Sequence, residues 1–386
     1  MSNPGAILAS TVTAVAALGF IPVAIHFNFF PLLNRIGPIA TAEELTKASD
    51  AERSDEDKRS SPLCLRLTGL DSLEHDKESL TPVEDTMFAM AGLGLVELVD
   101  DTTYQVNPIT AHMAVVPSSL HGMLHFTTEP LWAAAFLMRQ LRDTNFEYPF
   151  QENKTPTQYG YKLIGEERFV NEHTYSIMSM QGRMPSFSAF MEGKFGRFGT
   201  MPFRVQSFGY DLGSILRSEA NSIAVVDIGG GRGEMLLEVK AAYPHLKKEN
   251  LVLQEFDPDQ MNADELTIQH WNFKDESPQP VKGALVYSLT HIYHNLSDLE
   301  ALRLMKKVSD AMAPYSRMLI HEFAKNATYG KMHATMIQLY AGRIRSSREW
   351  KQMAALAGLE VTFETYPVAG EGLVEMTKLG SSEVTT

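Results

Sequence analysis

The chain has 386 residues, 44% of them apolar, and a net charge of −13. That length suits two domains, and the apolar fraction suits a full globular core. An acidic chain with no basic tail or stripe speaks against a nucleic-acid partner. The single cysteine, Cys64, excludes an internal disulfide and a cysteine-based zinc site, and no metal is expected. It suits a reducing compartment, so the cytoplasm is the expected location.

The first 34 residues carry no charged side chain. The run from Ala6 to Leu33 is long enough to span a membrane. However, no Lys or Arg precedes it, and Pro22, His26 and Asn28 interrupt it. No positive stop-transfer cluster follows, so no membrane association is expected. A buried helix pair, or a helix buried in a homodimer, is the reading adopted.

Residues 41–62 are charged and serine-rich. TAEEL, from Thr41, has the form of a capping box, and the rest reads as an exposed loop. Residues 81–110 predict an amphipathic helix and a short hairpin turning at Asp100–Asp101. Helices followed by a small hairpin suggest a winged helix. In so acidic a chain, such a wing serves as a scaffold or dimer element rather than a DNA reader. Residues 117–220 read as mostly helical, with aromatic and Met positions at helical spacing. Such stripes pack cores, and the functional alternative is a pocket wall. Met180, Met184, Met336 and Arg343 are the candidate pocket residues.

The pattern changes from residue 223. IAVVDIG, NLVLQEF, LTIQHW, ALVYSLT and RMLIHEF are short apolar runs separated by helical stretches. Such alternation implies an α/β fold with a parallel sheet and crossover helices. One predicted helix, 297–312, places Leu299, Leu302, Met305, Val308 and Met312 on one face. The last two runs, LEVTFETYPV and GLVEMTKL, predict an antiparallel hairpin at the sheet edge.

VVDIGGGRGEMLLEV, residues 225–239, is a strand, a glycine-rich turn and a helix. Gly229, Gly231 and Gly233 permit close backbone approach to a ligand. Asp227 ends the first strand and Glu255 the second, where a carboxylate can hold two ribose hydroxyls. Glu234 follows the glycines, where a phosphate-binding loop would not want a carboxylate. A phosphate-free cofactor such as S-adenosylmethionine therefore fits better than NAD.

His291 and His294 lie in LTHIYHNLSD, at the carboxyl end of a predicted strand, where open α/β sheets bind ligands. A neutral imidazole is suited to proton transfer near pH 7. His294 is the candidate base, and His291 reads as structural. His125, among Met123 and Phe126, reads equally as a core histidine or a functional one. Arg343 and Arg345 read as residues of a solvated face, with one of them able to reach a pocket.

The motifs VVDIGGGRG, LVLQEF, SPQPVKGALVYSLTHIYHNLSD, AMAPYSRMLIHEF and REWKQMAALAGLE carry a resemblance from about residue 10 to 380. The chain resembles the fungal branch of the small-molecule O-methyltransferases, of the caffeic-acid type. The resemblance implies a Rossmann-like, seven-stranded class I methyltransferase domain with an N-terminal helical and winged-helix dimerisation domain. It implies a dimerisation domain over 1–115, a helical connector contributing to the substrate pocket over 116–215, and the methyltransferase-fold domain over 216–386. It also implies a homodimer that binds S-adenosylmethionine near Gly229, Gly231 and Glu255, with Asn272 and Phe273 as adenine contacts. The implied substrate is a small secondary metabolite, plausibly a polyketide or pyridone.

His294 matches the family's base, and Glu322, ending MLIHE, matches one of its two supporting carboxylates. The second is absent, because Ile344 stands at its position in GRIRSS. Asn295 and Leu296 replace the usual Asp and Trp after the histidine. The leporin-type pericyclase branch uses bound S-adenosylmethionine as a fixed cation for dehydration and cycloaddition. Its histidine-bearing segment resembles GMLHFTTEPLW here, with His125 at the matching position. That branch has Arg-Asp where this chain has His294–Asn295. The missing carboxylate and the lost Asp-Trp tip the sequence reading slightly towards a pericyclase over an O-methyltransferase. A catalytically silent scaffold is the third reading, and the His294–Glu322 pair speaks against it.

Overall fold

The computed structural model describes residues 4–52, 81–195, 199–216, 223–256 and 264–380. The loop expected over 53–62 and the helical stretch at 217–220 lie outside them. Two compact units form: Met1–Trp132 with Gln181–Lys194, and Ala133–Met180 with Phe195–Thr386. The 116–215 stretch is thus divided between both.

In the first unit, short helices surround a small antiparallel sheet. Strands β1 (Ile39–Thr41), β2 (Glu97–Asp100) and β3 (Thr103–Gln105) lie in the order β1-β3-β2. The expected hairpin is present, and the helix Thr81–Gly92 precedes it. The helix Ala42–Glu52 starts at the expected capping box. Thr41 N–H donates to Glu44 at 2.8 Å, and Glu44 N–H donates to Thr41 Oγ1 at 3.2 Å. Phe29, Phe30, Leu32, Leu33, Met87 and Met90 fill the core. The N-terminal run forms the helices Pro4–Leu18, Ile21–His26 and Phe29–Ile36; the last two bury Ile21, Ala24, Phe29, Phe30, Leu32 and Leu33, whereas the helix Pro4–Leu18 is not buried within one chain. Ile7, Leu8, Val12 and Val15 are 53–64% exposed, and only its end, at Leu18, packs on the core. No described helix is long and apolar enough to cross a membrane.

The second unit is built on a seven-stranded sheet. Its strands are β4 (Val225–Ile228), β5 (Leu251–Glu255), β6 (Thr267–His270), β7 (Val286–Thr290), β8 (Arg317–Phe323), β9 (Leu359–Thr365) and β10 (Glu371–Lys378). Their order is β6-β5-β4-β7-β8-β10-β9, and each of the seven apolar runs supplies one strand. The first five pair in parallel, and β10 is antiparallel to both β8 and β9. Strand β4 is buried along its whole length, as a strand covered on both faces must be. Val226 and Ile228 join one core cluster and Val225 joins the other, following the two-residue period of a strand.

The crossover helix between β7 and β8 is Asp298–Ala311. Ser297 caps it, accepting from Glu300 N–H, while Glu300 accepts from Ser297. Its buried stripe is Ala301, Leu304, Met305 and Val308. Leu299 is 61% exposed, contrary to the single face expected, because nine residues at about 100° each set it on the side of the helix opposite Val308.

Candidate active site

The carboxyl ends of β4, β5 and β6 lie side by side and place the predicted nucleotide residues together. Asp227 is buried at the end of β4, and neither carboxylate oxygen has a hydrogen-bond partner. Burial pushes its pKa well above the usual carboxylate range, and the charges of Glu255 and Glu234 push it further. A Cβ on Gly230 would come within 2.1 Å of Asp227 Oδ2, so the turn closes over this carboxylate only with glycine there. Gly231 sits in the left-handed region at φ 63°, facing open space, and its N–H donates to Glu255 Oε1 at 2.6 Å. Gly229 and Gly233 flank it, the latter as N-cap of the helix Glu234–Ala242. Asn272 and Phe273 follow β6. Asn272 Oδ1 accepts from Lys274 N–H at 3.0 Å, and Phe273 packs against the core edge-on to Trp271.

The reaction residues gather where β7 and β8 end. After Thr290 the chain turns through His291, at φ 57°, into a short 3-10 turn over Tyr293–Asn295. The parallel register pairs Thr290 with His321 and so brings Glu322 beside that turn. Glu322 grips His294 twice. One oxygen accepts from His294 N–H at 3.1 Å, and the other lies 2.6 Å from ring Nδ1. Both side chains are 5% exposed. Burial alone would raise the Glu322 pKa, but His294 and His291 hold it below the usual value. An anionic Glu322 accepts the Nδ1 proton, which assigns the acceptor lone pair to Nε2.

Sequence reasoning missed several neighbours. Arg345 is 1% exposed rather than on a solvated face. Its guanidinium donates to Tyr293 O at 2.6 Å, Leu296 O at 2.9 Å and Asp298 at 3.0 Å, clamping the turn that carries His294. A cation that satisfies buried carbonyls leaves no local signal in sequence. Arg343 pairs with Asp298 at 2.8 Å and also with Glu349. Ile344 is buried at the position of the absent carboxylate. Asn295 Nδ2 donates to Tyr175 Oη and His291 O, both at 3.2 Å. His291, read as structural, is buried with Nε2 2.6 Å from Glu371 Oε1.

Ligand-type atoms of His291, His294 and Glu322 lie within 4.8 Å of one another. Their spacing is that of a hydrogen bond rather than of a zinc site. Ligands about 2.1 Å from a tetrahedral ion stand roughly 3.4 Å apart, well beyond the His294–Glu322 contact.

The pocket candidates belong to both units. Met180 is 52% exposed. Met336 is buried in a small cluster with Ala133, Leu339 and Tyr340. Met184 is half-buried and belongs to the first unit. In that unit His125 is buried on the helix Pro117–Asp143, with Nδ1 3.0 Å from Glu129 Oε2. Phe126, Phe187 and Phe190 surround its ring, and Arg183 pairs with Glu129 at 3.2 Å.

Residues 218–360 match the family model described as an O-methyltransferase domain. The chain is 52% identical over 377 residues to the O-methyltransferase aunE of Aspergillus niger (strain ATCC MYA-4892), covering 96% of this chain and 95% of that one. It belongs to the O-methyltransferase family. Among solved structures it is similar to "A Pericyclic Reaction enzyme", with a TM-score of 0.74 at 18% identity, covering 98% and 90% of the two chains. It is also similar to OxaC in complex with S-adenosylhomocysteine and oxaline, with a TM-score of 0.74 at 17% identity, covering 98% and 88%. Likeness at that identity carries the class I methyltransferase fold alone. The cofactor of this O-methyltransferase-family chain is S-adenosylmethionine, and its residues fit that molecule. The partnerless buried Asp227 suits a cationic ligand, the open space at Gly231 admits one, and Glu234 disfavours a phosphate.

Proposed function

We propose that this chain is an O-methyltransferase acting on a phenolic or enolic hydroxyl of an apolar secondary metabolite, with His294 as general base. The observation that carries this reading is the 2.6 Å contact between His294 Nδ1 and Glu322. It fixes the tautomer, leaves Nε2 to take the substrate proton, and supplies an anion for the imidazolium that results. S-adenosylmethionine, when bound, supplies an electrophilic methyl group. Arg345 holds the His294 turn in place from behind. Asp227, Gly229, Gly231, Gly233, Glu255, Asn272 and Phe273 form the proposed cofactor site. The 52% identity to an enzyme named O-methyltransferase supports the same reading.

The pericyclase reading keeps one specific support: Ile344, Asn295 and Leu296 depart together from the family's base motif. Incubation with S-adenosylmethionine and a panel of polyketide phenols and pyridone enols, followed by mass spectrometry, separates the two. Methyl transfer yields a product heavier by one methylene and S-adenosylhomocysteine one-for-one, and sinefungin only inhibits. Turnover at constant mass, supported by sinefungin and without S-adenosylhomocysteine, would overturn the methyltransferase reading. The exposed apolar side of the helix Pro4–Leu18 supports a homodimer through the first unit. A monomer in sedimentation equilibrium would count against that.

A further inference from the structure

One helix touches both halves of the proposed site. Asn272, Phe273 and Lys274 follow β6 in a loop that leaves the sheet. Within the loop, Asn272 Oδ1 accepts from Lys274 N–H, and Asp275 Oδ1 accepts from Ser277 N–H at 2.7 Å. Trp271 Nε1 donates to Ser277 Oγ at 3.0 Å. From outside, the loop is held by Lys307 on the crossover helix Asp298–Ala311. Lys307 Nζ donates to Phe273 O at 3.1 Å and also to Asp275 O. An ammonium carries three donors, so one side chain can satisfy two loop carbonyls at once. Lys274 ties the loop down a second way, pairing with Glu152 and standing 3.7 Å from Glu300 of the same helix.

The helix presents these side chains by its own period. Seven residues at about 100° each bring Lys307 back to within roughly 20° of Glu300, so both reach the loop. The other end of the helix belongs to the base. Asp298 accepts from Arg345, whose guanidinium also donates to Tyr293 O and Leu296 O of the His294 turn. Nine residues at 1.5 Å each set Lys307 roughly 14 Å from Asp298 along one rigid rod. A single element thus fixes where the base stands relative to the loop that carries Phe273.

We propose that Lys307 is a positioning residue for the cofactor: by bonding the Phe273 and Asp275 carbonyls, it holds the Asn272–Phe273 loop in the form that accepts the adenine of S-adenosylmethionine. The proposal rests on the reading that Asn272 and Phe273 are the adenine contacts. Lys307 acts through the loop backbone and need not touch the cofactor. A loop ordered before the ligand arrives costs binding no ordering entropy. Removing the ammonium leaves both carbonyls to water and frees the loop, so the loss appears as affinity.

The test is calorimetric titration of the full-length protein with S-adenosylhomocysteine, which needs no substrate. Methionine is as good a helix former as lysine, so Lys307→Met should keep the helix. It should weaken binding about tenfold, the order of losing a hydrogen bond from a charged donor. Lys307→Arg keeps donors for both carbonyls and should recover most of that affinity. Lys306→Met removes the same charge from an exposed position one residue away, and should stay within about twofold. The Lys307→Met loss should reappear with 5′-methylthioadenosine, which carries the adenine without the amino-acid end. Unchanged affinity in Lys307→Met, an equal loss in Lys306→Met, or a loss confined to S-adenosylhomocysteine overturns the proposal. If Lys307→Met fails to fold, Lys307→Gln, with a shorter arm, takes its place under the same criteria. Gly231→Val separates the two failures. Binding lost there but kept in Lys307→Met removes Lys307 alone. Unaltered binding in Gly231→Val removes the cofactor site, and this proposal with it.

Discussion

Two of the buried histidine–glutamate pairs in this chain are built differently. On the helix Pro117–Asp143, His125 and Glu129 meet one helical turn apart at 3.0 Å. There the carboxylate is also held by Arg183 and Thr128, and three phenylalanines close around the imidazole. At the strand ends, Glu322 binds both the backbone and the ring of His294, and among the described residues no arginine or lysine stands within ion-pair distance of it. The first carboxylate is already neutralised by a permanent cation. The second gains most when His294 itself becomes charged. A buried His–Glu pair is therefore not a base by itself, and what else holds the carboxylate decides.

The largest test of that contrast is at His294. His294→Ala should lower kcat by about 10²–10⁴-fold, with S-adenosylmethionine binding by calorimetry intact. Glu322→Gln should approach the same loss, because a carboxamide can donate to Nδ1 and move the ring proton to Nε2. Glu129→Gln should leave kcat within a few-fold, and a large kcat loss there would break the contrast.

Asp227 extends the idea to a carboxylate that nothing in the described structure neutralises. Asp227→Asn should weaken S-adenosylmethionine binding by roughly 10–100-fold, the range of a lost charge-assisted contact. The same change should raise the Tm of the cofactor-free protein, because it removes an uncompensated buried acid. A lower Tm with unaltered binding would show that the carboxylate serves the fold.

His125→Ala should cost roughly 1–3 kcal/mol in denaturant unfolding, as for a buried side chain removed from packed rings, and change kcat little. A collapse of kcat at unchanged stability would make the helical pair part of the reaction.

The smallest expected effect concerns Glu300, whose neighbour is another acid. Burial, and then its hydrogen bond with Glu152, raise its pKa to about 7, against an opposing pull from Lys274. The folded protein keeps this proton while the unfolded chain releases it near 4.5, so this group makes stability fall as pH rises from about 4.5 to about 7. Glu300→Gln should flatten that part of the Tm–pH curve, and an unchanged slope would count against the raised pKa.

The sequence by itself determined the elements and their chemistry. Seven apolar runs became seven strands, because burial on both faces leaves a continuous apolar stretch. The glycine turn, the Thr41 capping box and a histidine after a strand were readable because each depends on residues close in the chain. Tertiary structure alone decided the company those residues keep. Glu371 reaches His291 because β10 inserts antiparallel beside β8 and sets Glu371 opposite Phe323, across a separation of 80 residues. Arg345 looked like a surface cation and is buried, because carbonyls of the His294 turn need a donor that no neighbour in sequence provides. Leu299 looked like core and is exposed, because the side carrying Val308 is buried and the helical period sets Leu299 opposite it. Short-range patterns encode which way a chain bends, whereas the partner of a buried charge depends on strand order, which one sequence does not spell out.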